Sequence, residues 1–137
     1  MTDDYLNVER LIHKLWQGEY REAPVVFKRK NKYYMLSSFC TGWEPNQCKF
    51  ASADAIEGKW SMLEDFGDAT TYNTQPAFVL KCSEEQFLYI SDRWNSHEYN
   101  DSSYVFLPIE FDFSHPVLNF YARFTPQGNG LSFLFEC

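Results

Sequence analysis

The chain has 137 residues, the size of one ordinary domain, and it is long enough to bury a core. Its net charge of −7 opposes binding to a polyanion, so the composition argues against a nucleic-acid partner. No stretch approaches the ~20 consecutive apolar residues of a membrane span, which argues against a membrane partner. The acidic N-terminus lacks the basic start and apolar middle of a signal peptide. As written, the sequence predicts a cytoplasmic chain or a piece of a longer secreted precursor.

The cysteines and histidines are too dispersed to predict a metal site. No C-x-x-C pair occurs, and the residues concerned are Cys40, Cys48, Cys82, Cys137, His13, His97 and His115. Cys40 and Cys48 flank a short loop, so they could form a disulfide in an oxidising compartment or remain free thiols. The sequence predicts no metal and no cofactor.

The N-terminal half begins with a segment of ambiguous pattern and continues as strands. Residues 3–16 have a loosely helical spacing of apolar residues, but a connecting segment with a short strand fits as well. Four strands are then predicted at 24–28, 32–38, 49–54 and 60–63. Lys30-Asn31-Lys32 forms the first turn, where Asn31 can take a positive φ.

The same order of signals recurs in the C-terminal half. Strands are predicted at 76–81, 86–91, 103–111 and 116–121, and the tail, residues 125–137, is compatible with a final strand. The offset is 52 residues at the prolines (24 to 76) and 54 at the second strands (32 to 86). A period near 50 with four strands per unit is typical of propeller blades. The sequence therefore predicts an all-β fold of about two four-stranded antiparallel blades, at about 22–66 and 74–122.

Several motifs resemble glycoside hydrolase family 43, most closely its exo-β-1,3-galactanase branch. They are Arg21-Glu22-Ala23-Pro24, Lys32-Tyr33-Tyr34, Thr41-Gly42-Trp43, Thr74-Gln75, Asp92-Arg93-Trp94-Asn95 and the run from Tyr104 to Phe111. The resemblance covers roughly residues 3–120. It implies that residues 1–137 are part of a five-bladed β-propeller glycosidase domain, and it implies that this sequence corresponds to the C-terminal two blades.

The resemblance also implies roles for individual residues. That family cleaves glycosidic bonds with inversion, and the Glu of its Glu-Gly/Ala-Pro motif, which matches Glu22, is the general acid. Gln75 matches a glutamine that lies at the substrate in the galactanase branch. Trp43 and Trp94 fall in loops that border the sugar pocket, and Thr41 and Arg93 are weaker substrate-binding candidates. The family's other catalytic carboxylates lie in the blades that this sequence lacks.

The residues by themselves leave alternatives open for each role. Glu22 could instead be a structural carboxylate paired with Arg21 or Arg93, and Gln75 could be a buried amide bonded to backbone. Trp43 and Trp94 could be core residues. Thr41 and Arg93 could bond to loop backbone, and Asp92 could be a base or a turn-capping residue.

Three functions are compatible with this sequence. The chain could be part of an inverting glycosidase that acts on β-galactosides or related plant polysaccharide side chains, working with missing propeller blades or as a homo-oligomer. It could be a carbohydrate-binding fragment without turnover, or it could be a propeller-derived module that binds protein through its open edges. We expect carbohydrate to be the partner in the first two cases.

Overall fold

The computed structural model describes residues 1–127 and 132–136, with side chains described as far as residue 123. These described residues form ten strands and one short 3₁₀ helix. The first sheet contains β1 (Arg21–Arg29), β2 (Lys32–Phe39), β3 (Cys48–Ala53) and β4 (Glu64–Phe66), and the second contains β5 (Gln75–Lys81), β6 (Phe87–Arg93), β7 (Ser103–Asp112) and β8 (His115–Leu118). The 3₁₀ helix spans Tyr99–Asp101. In the described ranges, no helix is long and apolar enough to cross a membrane.

Both sheets are antiparallel, and their strands follow one another in chain order. This confirms the predicted all-β architecture of two four-stranded units. The predicted final strand falls in a separate two-stranded sheet of β9 (Arg123–Gln127) and β10 (Ser132–Glu136). Residues 128–131 and 137 of that tail, including Cys137, lie outside the described residues.

The last strand of each sheet differs from its prediction. The fourth strand was predicted at 60–63, but Trp60 is buried and its indole N–H donates to the carbonyl of Ile56 at 3.3 Å. The ladder therefore forms three to four residues later, at Glu64–Phe66. The eighth strand ends at Leu118 rather than 121, and beyond it the Tyr121 hydroxyl donates to the side chain of Glu110 at 2.6 Å.

The segment before the first sheet is neither a helix nor a strand. Its turns and loop run as far as Tyr20, where β1 follows. Leu15 and Trp16 pack against the buried cluster of Ala51, Ala53 and Trp60. The Trp16 indole N–H also donates to the Ser61 carbonyl at 3.2 Å. Leu15 and Trp16 therefore hold the end of the segment on one face of the first sheet, whereas the other apolar residues of the spacing, Leu6, Leu11 and Ile12, are exposed.

The principal core lies between the two sheets. Alternate residues of each strand point into it, as the two-residue repeat of a strand requires. Phe27 stacks on Tyr34 at 5.3 Å within the first sheet and lies 5.3 Å from Phe87 of the second. The remaining buried members include Leu36, Phe50, Phe66, Val79, Tyr89, Leu107, Ile109 and Leu118. This shared core fixes the relative position of β1 and β5, whose ends carry the candidate site.

The first hairpin turns on a residue other than the predicted one. β1 ends at Arg29 and β2 begins at Lys32, as expected for a two-residue turn. Lys30 has a φ of +53°, however, and Asn31 does not have a positive φ. Asn31 can take the left-handed conformation, but the turn does not use it at that position. Lys30 instead adopts it beside Glu85, with which it forms an ion pair at 2.9 Å.

Candidate active site

Glu22 is placed by a bulge at the start of β1. It pairs with Ser38 of β2, and the register then shifts before Val25 pairs with Leu36. Ala23, inside the shift, has a φ of +48°, which is uncommon for a residue with a Cβ. An extra residue of this kind bends a strand and re-aims its side chains. Ser38 and Leu36 lie on the same face of β2, so the bulge brings Glu22 onto the face of the sheet that also carries Val25 and Phe27.

Arg21, the neighbour of Glu22, is engaged elsewhere. Its Nε donates to the Ser37 hydroxyl at 3.1 Å, and its guanidinium also contacts the Ser37 carbonyl. Arg93 donates to the carbonyl of Tyr72 at 2.8 Å. In the part of the chain that the structure describes, neither arginine forms an ion pair with Glu22. The Glu22 carboxylate is thus available for contacts within the site.

Gln75 begins β5 after a tight left-handed turn. Thr71, Tyr72 and Asn73 have φ values of +51°, +56° and +58°. The carboxylate of Asp68 accepts from the backbone N–H of Tyr72 at 2.7 Å, which stabilises this unfavourable conformation. Partial burial opposes ionisation of Asp68, but the hydrogen bonds from Tyr72 and Thr70 outweigh it, so its pKa is lowered.

Thr71 ties this turn to the first sheet. Its side chain is fully buried, accepts from the Cys48 N–H at 2.6 Å, and donates to the Asn46 carbonyl at 3.0 Å. The start of β5 is therefore fixed relative to β3 as well as to its own sheet. Gln75 reaches the site from a rigid backbone.

The Gln75 amide joins the two sheets at the site. Its Nε2 donates to Glu22 Oε1 at 2.9 Å and to Ser38 Oγ at 3.0 Å. Its Oε1 accepts from the indole N–H of Trp94 at 3.1 Å. The structure thus brings together three of the residues that the sequence singled out, namely Glu22, Gln75 and Trp94. Gln75 bonds side chains here, whereas the alternative interpretation had it bonded to backbone.

Three aromatic rings lie beside this network. Trp94 stacks on Tyr99, with ring centres 5.7 Å apart and planes 20° apart. Trp43 meets Trp94 edge-on at 5.5 Å and Tyr99 at 6.3 Å. Trp43 is 57% exposed, so its ring belongs to the surface rather than to the core.

A cavity of about 160 Å³ opens between the loops of the two sheets. Its lining combines aromatic rings with polar side chains, the mixture that ligand pockets commonly show. The lining residues are Ser38, Gly42, Trp43, Glu44, Pro45, Asn46, Asn73, Thr74, Gln75, Asp92 and Trp94. Ring faces for packing and polar atoms for hydroxyl groups are both available there.

Asp92 is the carboxylate nearest to Gln75 along the ladder. The two residues are directly paired between β5 and β6, and both line the cavity. Partial burial raises the pKa of Asp92 above the ordinary value for an aspartate. A carboxylate with a raised pKa beside a cavity is chemically suited to exchanging a proton there.

Thr41 and Arg93 lie at the margins of the site. The Thr41 hydroxyl donates to the Glu44 carbonyl at 2.6 Å and accepts from Asn46 Nδ2 at 2.6 Å. Neither Thr41 nor Arg93 is among the residues that line the cavity. Both side chains make the loop-backbone bonds that were the alternative interpretation of their roles.

The cysteines beside the site are free thiols. Cys48 is completely buried, and this burial raises its pKa to about 12. Cys40 is exposed, and its pKa is raised by desolvation and by its hydrogen bond with the Glu22 side chain. An exposed thiol therefore lies next to the proposed acid.

The sequence did not point to three residues that organise the site. Ser38 contacts Gln75, Tyr99 stacks on Trp94, and Asn46 bridges Phe39 and Thr41 across the β2–β3 loop. Asn46 could have been suspected, since asparagine commonly bonds loop backbone. Ser38 and Tyr99 gave no local signal, because their partners are 37 and 5 residues away and are brought close only by the fold.

Comparison with known proteins gives matches to solved structures. The chain is 40% identical to an exo-β-1,3-galactanase from Clostridium thermocellum, covering 86% of this chain and 27% of that one, with a TM-score of 0.80. It is 33% identical to a GH43 β-1,3-galactosidase solved with galactodeoxynojirimycin (75% and 32% covered, TM-score 0.70). It is also 26% identical to an exo-β-1,3-galactanase from Phanerochaete chrysosporium solved with β-1,3-galactotriose (87% and 28%, TM-score 0.81).

No protein-family model and no curated protein matches the chain. The structural matches nevertheless agree with one another in fold and in family. The chain spans between about a quarter and a third of the length of these relatives. It is therefore a propeller-type, galactanase-like chain of glycoside hydrolase family 43.

Proposed function

We propose that the chain contributes the acid side of an active site that hydrolyses β-1,3-linked galactosides with inversion. The observation that carries the proposal is the hydrogen bond of 2.9 Å between Gln75 of the second sheet and Glu22 of the first. It joins the two residues that the family resemblance assigns to the chemistry. It also lies beside a cavity lined by two tryptophans.

Glu22 is the proposed general acid. An inverting glycosidase needs one carboxyl group to protonate the leaving oxygen and a second group to activate water, roughly 6.5–9.5 Å away. The carboxylate of Glu22 is held by Gln75 through Oε1, so the position of the side chain is defined. Gln75 would orient a hydroxyl or a water molecule, since an amide is a poor base.

Trp43 and Trp94 are proposed to pack against the sugar. Both line the cavity, and because Tyr99 stacks on the Trp94 ring, the exposed ring of Trp43 offers the more accessible face. Aromatic faces pack well against the apolar C–H surfaces of a ring. The solved relatives include one bound to β-1,3-galactotriose and one bound to galactose, which supports galactose as the sugar.

The two sheets are proposed to be two blades of a five-bladed propeller, in blade-like units of about 22–66 and 74–122. Phe78, Leu80 and Phe106 support this, because they are 55%, 41% and 45% exposed on the second sheet. Apolar side chains of this size are normally covered by another element. A neighbouring blade of a longer protein, or a second copy of this chain, would cover them.

A second candidate function is galactoside binding without turnover. The observation that favours it is the sparse set of carboxylates in the cavity, where the lining residues with a carboxylate are Glu44 and Asp92. Asp92 is the candidate base among these residues, because it is paired with Gln75. Were Asp92 unable to activate water, the site would bind a sugar and leave it intact.

Titration of the ¹⁵N-labelled chain with β-1,3-galactobiose tests the proposal. We expect saturable shifts of the indole N–H resonances of Trp43 and Trp94, and smaller shifts of Trp16, which lies on the N-terminal segment. Gln75→Ala should weaken binding about tenfold or more, since a hydrogen bond to the ligand is lost. Equal shifts with cellobiose, or none with either sugar, would contradict a galactoside site.

A further inference from the structure

The hydrogen bonds of Gln75 define which of its atoms can meet a ligand. A glutamine amide has two N–H donors and two acceptor positions on its oxygen. Glu22 and Ser38 take both donors of Nε2, and the Trp94 indole takes one acceptor position of Oε1. Within this network, the position left is therefore the second acceptor position of Oε1. Because Gln75 lines the cavity, this acceptor is what it can offer to a hydroxyl group or a water molecule.

The opposite orientation of the amide would not satisfy these partners. Rotation by half a turn would place Oε1 against the carboxylate of Glu22, acceptor against acceptor. It would also place the Nε2 hydrogens against the N–H of Trp94, donor against donor. The indole N–H can only donate, so Trp94 distinguishes the two ends of the amide.

Trp94 is itself held in place from several sides. Its ring stacks on Tyr99 and meets the edge of Trp43. Immediately after it, the backbone N–H of Asn95 donates to the Ser102 hydroxyl at 3.0 Å. The Asn95 carboxamide oxygen in turn accepts from the backbone of His97 and Glu98 at 3.0 and 3.1 Å. The direction of the Trp94 indole N–H is thus fixed by these ring contacts and by the hydrogen bonds of the loop that follows.

We propose that Trp94 is a positioning residue whose indole N–H locks the Gln75 amide, with Nε2 toward Glu22 and Oε1 toward the ligand. This role is separate from the sugar-stacking role given to its ring. The inference deepens the proposed function, because it states that Gln75 receives a hydrogen bond from the ligand. It rests on that function only for the identity of the ligand, since the lock itself is a property of the free protein.

The test is the NMR signature of the Gln75 side-chain amide in the free, ¹⁵N-labelled chain, assigned by its disappearance in Gln75→Ala. In the unaltered protein, we expect two separate N–H resonances that exchange slowly with solvent. Trp94→Phe keeps an aromatic ring but removes the N–H. We expect the Gln75 hydrogens to exchange about tenfold faster in this variant, as the loss of one hydrogen bond implies. Their shifts should also move toward those of an exposed glutamine.

Trp43→Phe is the matched control. It removes an indole N–H from the same aromatic cluster, with the same change in ring size, and Trp43 makes no hydrogen bond with Gln75. We expect the Gln75 amide to keep its exchange rate in this variant. An unchanged Gln75 signature in Trp94→Phe, or an equal change in both variants, would overturn the proposal.

A reciprocal variant keeps the test valid if Trp94→Phe does not fold. Gln75→Leu removes the acceptor and leaves Trp94 intact. The Trp94 indole N–H should then exchange about tenfold faster, while that of Trp16 should not change. No change at Trp94 would overturn the lock. Because no sugar is present, this result is independent of the galactobiose titration, and failure of one does not imply failure of the other.

Discussion

Gln75 is the residue through which the two sheets meet at the candidate site. Its amide contacts Glu22 and Ser38 in the first sheet and Trp94 in the second. A single substitution here therefore removes contacts in both sheets. Gln75 is only half-buried, so we expect it to contribute through the geometry of these hydrogen bonds rather than through burial of apolar surface.

Ser38 should matter to stability as well as to the site. Its side chain is 2% exposed and accepts from Gln75 Nε2. In Ser38→Ala, the amide loses an acceptor that water cannot easily replace, so we expect the free energy of unfolding to fall by about 1 kcal/mol. Urea denaturation measures this. Ser96→Ala, on an exposed loop, is the control, and an equal effect of both substitutions would contradict the account.

Cys40 and Cys48 should differ strongly in reactivity. The thiolate is the reactive form, and the pKa of both thiols is raised, in Cys48 to about 12 by burial. Alkylation of exposed Cys40 by iodoacetamide should therefore be slow at neutral pH and accelerate as the pH rises into the alkaline range, while Cys48 stays unlabelled in the folded protein. Peptide mass mapping reports both sites, with urea-unfolded protein as the control. Rapid labelling of Cys48 in the folded state would be inconsistent with its burial.

At the scale of the element, the first strand of each four-stranded sheet contains a shift in its pairing register. β1 shifts register between Glu22 and Val25, and β5 shifts between Pro76 and Phe78. The repeat visible in the sequence is thus a repeat of bulges as well as of strands. The residue before the shift is Glu22 in β1 and Pro76 in β5, and Pro76 directly follows Gln75.

Glycine substitutions in the two bulges should have opposite effects on the free energy of unfolding. Ala23 has a φ of +48°, whereas Ala77 does not have a positive φ. Glycine removes the cost of the left-handed conformation, so we expect Ala23→Gly to raise the free energy of unfolding by up to about 1 kcal/mol. Ala77→Gly should lower it by about 0.5–1 kcal/mol through added backbone entropy in the unfolded chain. Urea denaturation measures the free energy of unfolding of both variants. A decrease of similar size in both would contradict the expected difference between the two bulges.

The sequence indicated the elements better than it indicated their connections. The prolines at 24 and 76 and the alternating strands after them predicted both sheets, since strand periodicity is a local property. The segment at 3–16 was ambiguous because its conformation depends on Ala51, Ala53 and Trp60, against which it packs. The position of Ser38 depends likewise on the register at the bulge, and that of Tyr99 depends on the hydrogen bonds of its loop. Neither feature can be predicted from a local sequence pattern.

For the molecule as a whole, the shared core means that the sheets should unfold together. Ile109 is 4% exposed in the second sheet and belongs to the cluster that contains Leu36 of the first. Ile109→Val should lower the free energy of unfolding by about 0.5–1.5 kcal/mol. Native-state hydrogen exchange should show this decrease equally for slowly exchanging amides of β2 and β6. A decrease confined to β6 would show that the sheets unfold independently.

The most direct measurement of the central claim is ¹H NMR of β-1,3-galactobiose incubated with the chain, in which the two anomers of released galactose are resolved. We expect α-galactose to appear first, because an inverting reaction on a β-linkage yields that anomer. Glu22→Gln should abolish its release, and Glu19→Gln, an exposed change nearby, should not. Release of β-galactose first, or undiminished release by Glu22→Gln, would contradict the assignment of Glu22 as the acid of an inverting site. No release by either protein would instead support the second candidate function, galactoside binding without turnover.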